Sequence, residues 1–344
     1  MKTAMLQQLR RKWTIAGCVA AVLTVSIRAA EETNWGKWGK DDALGTLNYI
    51  TSQAIVEAAR LVRQGRAYSL AAPLGNDSLA VDPAFRVIMM QTGQGANTDP
   101  KKPLWLMDWM SLPLHGTTHW DGLASVFGGG KIYNGHDAEK NVTPQGALKN
   151  GIEALRNKVV ARGVLLDIAR LKGTNALASG YVITPADFEA AARKQKVEFR
   201  QGDVLLIRTG WINTFFGPRP PAANPALAQL QRREKLRGPQ PGIGWAITQW
   251  LKERRIAALA VDNFHAEVVP PEPDAVRRLR FSDFDKPVNY ELIRNQGMIL
   301  GKLFQLDALA AACARDGVYE FMFAAAPLNI PNATGGPINP QAIK

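Results

Sequence analysis

The sequence is poor in cysteine and histidine, and its most apolar stretch is short. It has two cysteines and four histidines in 344 residues. The stretch TIAGCVAAVLTVSI covers about 14 residues, fewer than the roughly 20 that a membrane-spanning helix needs. We find no internal repeat, no low-complexity segment and no nucleic-acid-binding motif. We therefore expect no stable membrane span and no nucleic-acid partner.

The N-terminus follows the pattern of a secretory signal. A basic segment, LRRKW, precedes the apolar stretch, and the small residues Ala29 and Ala30 follow it. We predict a signal peptide over 1–29, a single domain over 30–344, and export to a bacterial periplasm. Cys18 would then be removed with the signal, which leaves Cys313 as a buried helix residue with no intramolecular disulfide partner.

The chain is basic, with a formal net charge of +12. Residues 1–29 carry five basic residues and no acidic one, so removing them lowers the net charge to +7. The remaining basic residues are scattered and interrupted by acidic ones. This distribution indicates a solvated basic face, or a cleft that attracts anionic substrates.

The order of predicted elements is typical of an α/β protein. Apolar residues make up 46% and charged residues 21% of the chain, as in an ordinary globular domain. Capping residues and apolar periodicity predict helices at 51–65, 184–195, 242–254 and 305–316. Short apolar runs predict strands at 162–169, 202–211, 256–263 and 319–327. Because strands alternate with helices, we expect a largely buried sheet.

The segment LHGTTHWDGLASVF contains an H-x-x-x-H-x-D array formed by His115, His119 and Asp121. Imidazole and carboxylate are ligands for zinc or manganese, and three protein ligands leave room for water and substrate. Gly116 and the Thr117–Thr118 pair argue against a helix, so we expect extended or turn backbone. The spacing alone also fits ordinary surface or core polar groups.

A series of collinear segments resembles the cyclase family of metal-dependent amide and lactone hydrolases, which includes bacterial kynurenine formamidase and isatin hydrolase. The resemblance is to the longer branch of the family and covers nearly the whole mature chain. The segments are NWGKWGKDDALGTLNYIT, HGTTHWDGL, KIYNG, RGVLLDIARLKG, GDVLLIRTGW, VDN and DGVYEFMFAAAPL.

The resemblance implies mixed β-sheets, partly barrel-like, surrounded by helices, with a metal site near a subunit interface. It also implies a homo-oligomer, a dimer or tetramer. The two histidines and the aspartate of the array would bind the ion, zinc or manganese. A further histidine, four positions after that aspartate, serves in acid/base chemistry in relatives, and a later histidine and glutamate help to bind a second metal.

Three positions depart from the family pattern. Ser125 stands at the acid/base position, Asn289 at the later histidine and Lys302 at the glutamate. Asparagine is a poor ligand and lysine is a cation, so we expect one metal instead of two. We hypothesise that the Lys302 ammonium takes the place of the second cation and pairs with Asp121.

Tryptophans near the motif suggest a pocket for a flat or cyclic small molecule, and we predict that Trp120 and Trp38 contact the substrate.

The predicted function is hydrolysis of an amide, cyclic imide or lactone through one metal-activated water, with Ser125 orienting water or substrate. The alternative is a catalytically degenerate member of the family that binds a small molecule. A metal-free serine hydrolase is a third reading, which no G-x-S-x-G motif supports.

Overall fold

The structure is a computed structural model that describes residues 32–74, 86–92, 105–216, 231, 234–279 and 285–344. The predicted signal peptide at 1–29 lies outside these residues and stays a prediction. The segment at 217–226, whose proline-rich sequence GPRPPAANPA predicts a surface loop, also lies outside them. The chain from Thr33 to Lys344 clusters as one compact unit.

Fifteen short strands and several helices are described. The strands are β1 (Ala67–Ser69), β2 (Arg86–Met89), β3 (Asp108–Ser111), β4 (His119–Asp121), β5 (Val142–Thr143), β6 (Gly146–Ala147), β7 (Val160–Asp167), β8 (Val182–Ile183), β9 (Val204–Arg208), β10 (Gly242–Ile243), β11 (Ala258–Val261), β12 (Leu300–Lys302), β13 (Glu320–Ala324), β14 (Gly335–Pro337) and β15 (Gln341–Ile343). The α-helices are Ser52–Ala59, Ala138–Asn141, Ile168–Leu171, Pro185–Gln195, Trp211–Phe216, Ala246–Glu253, Pro273–Leu279, Pro287–Asn289 and Asp307–Asp316. A π-helix covers Tyr290–Asn295, and 3₁₀ turns cover Gly45–Tyr49, Tyr133–Gly135 and Ile152–Leu155.

Nine strands form one mixed sheet in the order β1-β15-β13-β7-β9-β11-β12-β4-β14. The central strands β7, β9, β11 and β12 run parallel, and the pairs toward both edges are antiparallel. The sheet curls into a half-barrel with helices around it, which confirms the predicted fold class.

Both faces of the central strands are buried. Along β9, Leu206 packs into one apolar cluster while Leu205 and Ile207 pack into another. Successive side chains of a strand point to opposite faces, so the two clusters lie on the two sides of the sheet. This explains why the central strands read as continuous apolar runs, as is typical of a parallel sheet covered on both faces.

The predicted helices and strands are all present, with shorter bounds in most cases. The helix predicted at 184–195 begins at Pro185, after a capping box formed by Thr184 and Asp187. The helix predicted at 242–254 begins only at Ala246, because Gly242 and Ile243 instead form β10 and pair with β8. Cys313 is buried in the helix Asp307–Asp316, as predicted.

The H-x-x-x-H-x-D array lies at the junction of a turn and a strand. His115 is in the turn, and His119 and Asp121 are the two ends of β4, which lies between β12 and β14. His119 pairs with Lys302 on β12, and Asp121 pairs with Gly335 on β14. The expected non-helical backbone is therefore confirmed.

The strands β2 and β3 form a separate antiparallel hairpin. Large apolar side chains of this hairpin and its flanks are exposed, with Trp105 88% accessible.

None of the helices in the described part of the chain is both long and apolar enough to cross a membrane.

Candidate metal centre

One cavity of about 590 Å³ collects most of the predicted site residues. Its lining residues are His115, His119, Asp121, Ser125, Val126, Phe127, Phe264, Lys286, Asn289 and Lys302. The two positions where the chain departs from the family's second metal site, Asn289 and Lys302, therefore lie beside the array although they are far from it in sequence.

Three potential ligand atoms converge in this cavity. His115 Nδ1 lies 2.7 Å and His119 Nε2 lies 3.1 Å from the same oxygen, Asp121 Oδ1. Ligand atoms of the three residues all lie within 4.8 Å of one another. Two ligands that share an ion at bond lengths of ~2.0–2.2 Å are separated by roughly 3 Å. The donor set and its spacing thus fit one divalent ion.

Each imidazole is oriented by a hydrogen bond on its other side. His119 Nδ1 lies 2.6 Å from the carbonyl oxygen of Thr117. Because a carbonyl oxygen can only accept, Nδ1 carries the hydrogen and Nε2 presents its lone pair to the site. His115 Nε2 lies 3.2 Å from Thr334 Oγ1, which leaves Nδ1 toward Asp121. Such outer contacts fix the ring and raise metal affinity.

The second oxygen of Asp121 is occupied by an ammonium group. Lys302 Nζ lies 2.6 Å from Asp121 Oδ2 and donates to Asn289 Oδ1 at 2.8 Å. Burial opposes ionisation of Asp121, but Lys302 and the two imidazoles outweigh it and hold the pKa of this carboxyl well below its usual range. The hypothesised pairing of Lys302 with Asp121 is therefore present in the structure.

Asn289 is held in place by the buried carboxyl group of Glu267. Glu267 accepts the backbone N–H groups of Val288 and Asn289, each at 3.1 Å, and also the side-chain amide of Asn289. Burial raises the pKa of Glu267 to about 7 against these donors. Since its amide is committed to Glu267, Asn289 presents its carbonyl oxygen to Lys302.

Burial of His119 lowers the pKa of its imidazole, and the nearby carboxylate of Asp121 only partly offsets this effect. An imidazole that stays neutral keeps a lone pair for an ion.

His265 is also buried, and burial together with Lys286 and Lys302 lowers its pKa to about 4. The ring of His265 lies outside the cavity wall and contacts the carbonyl of Leu236 at 3.1 Å.

Ser125 lines the cavity at the position predicted from the sequence. Its hydroxyl donates to the carbonyl oxygen of Gly122 at 2.6 Å. Because this hydrogen is already donated to Gly122, Ser125 Oγ can only accept a hydrogen bond from a molecule in the cavity.

The prediction that Trp120 contacts a substrate is wrong in this structure. Trp120 is fully buried, packs against Phe304 and Phe323, and donates its indole N–H to Ala325. It lies between His119 and Asp121 in a strand, so its side chain points to the opposite face of the sheet. Gly301, its cross-strand neighbour, leaves the space that the indole fills.

The predicted substrate contact Trp38 is half-buried and packs edge-on against Tyr49. It does not line the cavity that the described residues form. Its role in binding stays a prediction.

Five residues of the site were not predicted. Val126, Phe127, Phe264 and Lys286 line the cavity, and Thr334 contacts His115 from the C-terminal part of the chain. For Val126 and Phe127 the sequence holds a local signal, since they follow the motif by five and six residues. The other three are brought to the site by tertiary packing.

Comparisons with known proteins confirm the family resemblance of the sequence. The sequence profile of the cyclase family matches residues 25–268. A crystal structure described as a novel cyclase is 38% identical, with a TM-score of 0.79, and the match covers 91% of this chain and 97% of that one. No curated protein matches the sequence.

Two isatin hydrolase structures share the fold at lower identity. Isatin hydrolase A from Labrenzia aggregata, bound to benzyl benzoate, is 19% identical with a TM-score of 0.53, over 80% of this chain and 93% of that one. An isatin hydrolase bound to the product analogue thioisatinate is 17% identical with a TM-score of 0.53, over 85% and 98%.

Adjacent glycines on β14 test the role of the His115 ring. A Cβ at Gly335 would lie 2.3 Å from His115 Cε1 and 2.7 Å from the backbone oxygen of Trp120, whereas one at Gly336 meets nothing closer than Ile152 at 3.9 Å. We expect Gly335→Ala to displace His115 and weaken zinc or manganese binding by about 10- to 100-fold, the range seen when groups that orient ligands are changed. Isothermal titration of the metal-free protein with each ion measures this.

Gly336→Ala is the matched control and should bind the ion within about twofold of the wild type, since its methyl group has room. Thermal unfolding of both variants separates a local effect from misfolding. Equal metal affinity of a folded Gly335→Ala protein and the wild type would show that His115 is not a ligand.

Proposed function

The chain belongs to the cyclase family, and on that basis we propose that it is a metal-dependent hydrolase of an amide, cyclic imide or lactone bond in a small aromatic or cyclic molecule. The observation that carries the proposal is the convergence of His115, His119 and Asp121 in one cavity. The hydrolases among the structural neighbours support this reaction class. The ion is zinc or manganese, both of which accept this donor set.

We propose that the site uses one metal ion. In relatives a histidine and a glutamate complete a second site, and their counterparts here are Asn289 and Lys302. The ammonium of Lys302 already pairs with Asp121 Oδ2 and with Asn289 Oδ1. A second divalent ion there would be repelled by this cation and would find no anionic ligand left on Asp121. Lys302 thus balances the charge that a second ion would balance.

A bound ion would polarise a carbonyl group and lower the pKa of its water. Lys302 has three N–H groups and two acceptors in the structure, so one N–H is left for the carbonyl oxygen of a substrate. A cation at that oxygen stabilises the negative charge that develops on it during attack. Ser125 Oγ, whose hydrogen is committed to Gly122, can orient a water molecule by accepting its hydrogen.

A test of the single-ion site compares metal content by mass spectrometry after loading and desalting. We expect about one equivalent of zinc or manganese per chain for the wild type, and none for His119→Ala, because His119 is a ligand. The double variant Asn289→His/Lys302→Glu should bind about two equivalents, since it restores two ligands and removes the repelling cation. Lys302→Met, which removes only the cation, should stay at one.

Two equivalents in the wild type would contradict the replacement of a metal by Lys302. A wild type without stoichiometric metal would contradict the metal-dependent reaction itself.

Ser125 favours a second candidate function, a small-molecule-binding protein that has lost catalysis. A serine hydroxyl cannot take up a proton near neutral pH as an imidazole does. Among the described lining residues, the imidazoles are those of His115 and His119, both assigned to the ion. Proton transfer in this site therefore lacks the group that relatives use.

Hydrolysis of a panel of aryl formamides, cyclic imides and lactones separates the two functions. We expect metal-loaded wild type to turn over at least one class, and Ser125→His to raise its kcat by about 10²-fold or more, because it supplies a positioned acid/base group. Ser125→Asn is the control, since asparagine has similar size and no proton-transfer capacity.

No turnover by the metal-loaded wild type, combined with measurable binding of the same compounds, would favour the binding protein. An equal effect of histidine and asparagine at position 125 would show that acid/base chemistry does not reside there.

We propose that the chain forms a homo-oligomer, a dimer or tetramer, through the exposed hairpin. A two-stranded hairpin is marginally stable alone in water. The exposed apolar side chains of β2, β3 and their flanks are Val87, Ile88, Met89, Met90, Trp105, Leu106, Met107, Trp109 and Met110. Together they expose on the order of 1,000 Å², compared with the ~800 Å² that each partner contributes to a standard interface. A second copy of the chain, offering the same apolar surface, is the partner that fits.

We expect the variant Trp105→Glu/Met107→Glu to dissociate, because two charges would be buried in the apolar contact. Sedimentation equilibrium should give a dimer or tetramer for the wild type and a monomer for the variant. Leu328→Glu, an exposed leucine elsewhere on the surface, is the control and should sediment as the wild type. A monomeric wild type, or an associated double variant, would contradict this interface.

A further inference from the structure

Lys286 is a second lysine in the wall of the cavity. It immediately precedes the helix Pro287–Asn289, and its carbonyl oxygen accepts the N–H of Tyr290 at 3.0 Å. Glu267 fixes the next two residues by accepting the backbone N–H groups of Val288 and Asn289. The backbone under Lys286 is therefore anchored, while its long side chain borders the cavity and is half-buried.

Lys286 has no ion-pair partner among the described residues. Lys302, which lines the same cavity, is paired with Asp121. Asp285 is its exposed neighbour in sequence, and the buried ring of His265, kept neutral near pH 7, adds no charge. Asp121 is saturated by Lys302 and the imidazoles. The described lining therefore has a net positive charge at Lys286 before any metal ion binds.

Three of the other residues that line the cavity are apolar. Phe127 is exposed, Phe264 is half-buried, and Val126 immediately precedes Phe127 in the sequence. The backbone N–H of Phe264 is held by the side chain of Gln240 at 3.1 Å, which fixes where its ring emerges. Aromatic side chains favour flat apolar groups through stacking and edge contacts. The cavity thus offers a metal-ligand set, apolar rings and one unbalanced cation.

We propose that the substrate carries a carboxylate in addition to the bond that is hydrolysed, and that Lys286 binds this carboxylate. The substrate class is a flat aryl or cyclic amide, imide or lactone with an anionic substituent, and Lys286 determines specificity for it. A single ammonium group matches a singly charged carboxylate, whereas phosphate recognition generally relies on several donors or on arginine forks. This inference rests on the proposed hydrolase function, whose reactive bond would lie at His115, His119 and Asp121.

Two pairs of substrates test the proposal with the metal-loaded enzyme. One pair is formanilide and the same compound with a ring carboxylate, and the other is phthalide and its ring carboxylate. We expect the wild type to favour the carboxylated member in kcat/KM by about 10- to 100-fold, the effect of one hydrogen bond between charged groups. Lys286→Met should abolish this preference by raising KM for the carboxylated member about 10- to 100-fold more than for the neutral member.

Lys286→Arg retains the charge and should restore most of the preference, which a merely structural role of the residue would not require. Lys194→Met, the same substitution at an exposed lysine of the helix Pro185–Gln195, is the control and should behave as the wild type. Equal unfolding temperatures of the three variants and the wild type exclude a folding defect as the cause.

Hydrolysis of both members at equal rates, with no change in Lys286→Met, would overturn the inference and leave the hydrolase function intact. If no compound is hydrolysed, the hydrolase function is contradicted. Titration of the same proteins with benzoate and benzamide then tests whether Lys286 binds a carboxylate. Benzoate binding at least about tenfold tighter than benzamide, lost in Lys286→Met, would support the site in a binding protein. Equal affinities would overturn it.

Discussion

The candidate site depends on the two oxygens of Asp121 having different partners. Oδ1 faces both imidazoles, and Oδ2 faces the ammonium of Lys302. A buried carboxylate without partners would be costly, and its own pKa would rise. The lysine and the histidines reverse that tendency, so Asp121 stays ionised and available as a ligand. Asn289 and the buried Glu267 behind it matter because they place Lys302.

The strand pairing explains how this contact forms. His119 on β4 lies opposite Lys302 on β12, and directly opposed residues of paired strands place their side chains on the same face. Asp121 shares that face with His119 because two residues separate them in an extended chain. The mixed sheet therefore determines the chemistry of the site: a register shift of β4 by one residue would turn His119 and Asp121 into the core and away from Lys302.

Some of this arrangement could be predicted from the sequence and some could not. The extended conformation around His119, and the counterparts of the second metal site at Asn289 and Lys302, follow from residue types and from the family resemblance. Trp120 could have been assigned correctly, because the same period of two that unites His119 and Asp121 places it on the other face. Lys286 and the contact of His115 with Thr334 depend on tertiary packing between distant segments, and no local pattern indicates them.

The proposed replacement of a second metal ion by Lys302 has a consequence when the supply of metals changes. One positive charge of the site is covalently attached to the chain, so it cannot dissociate, be exchanged for a different ion or be removed by a competing chelator. The carboxylate of Asp121 keeps its counter-charge from the moment the sheet forms. With the single-ion site that we propose, the protein would require half as many metal ions from its surroundings as a two-ion site does, and the identity of its second cation would be fixed by the amino-acid sequence.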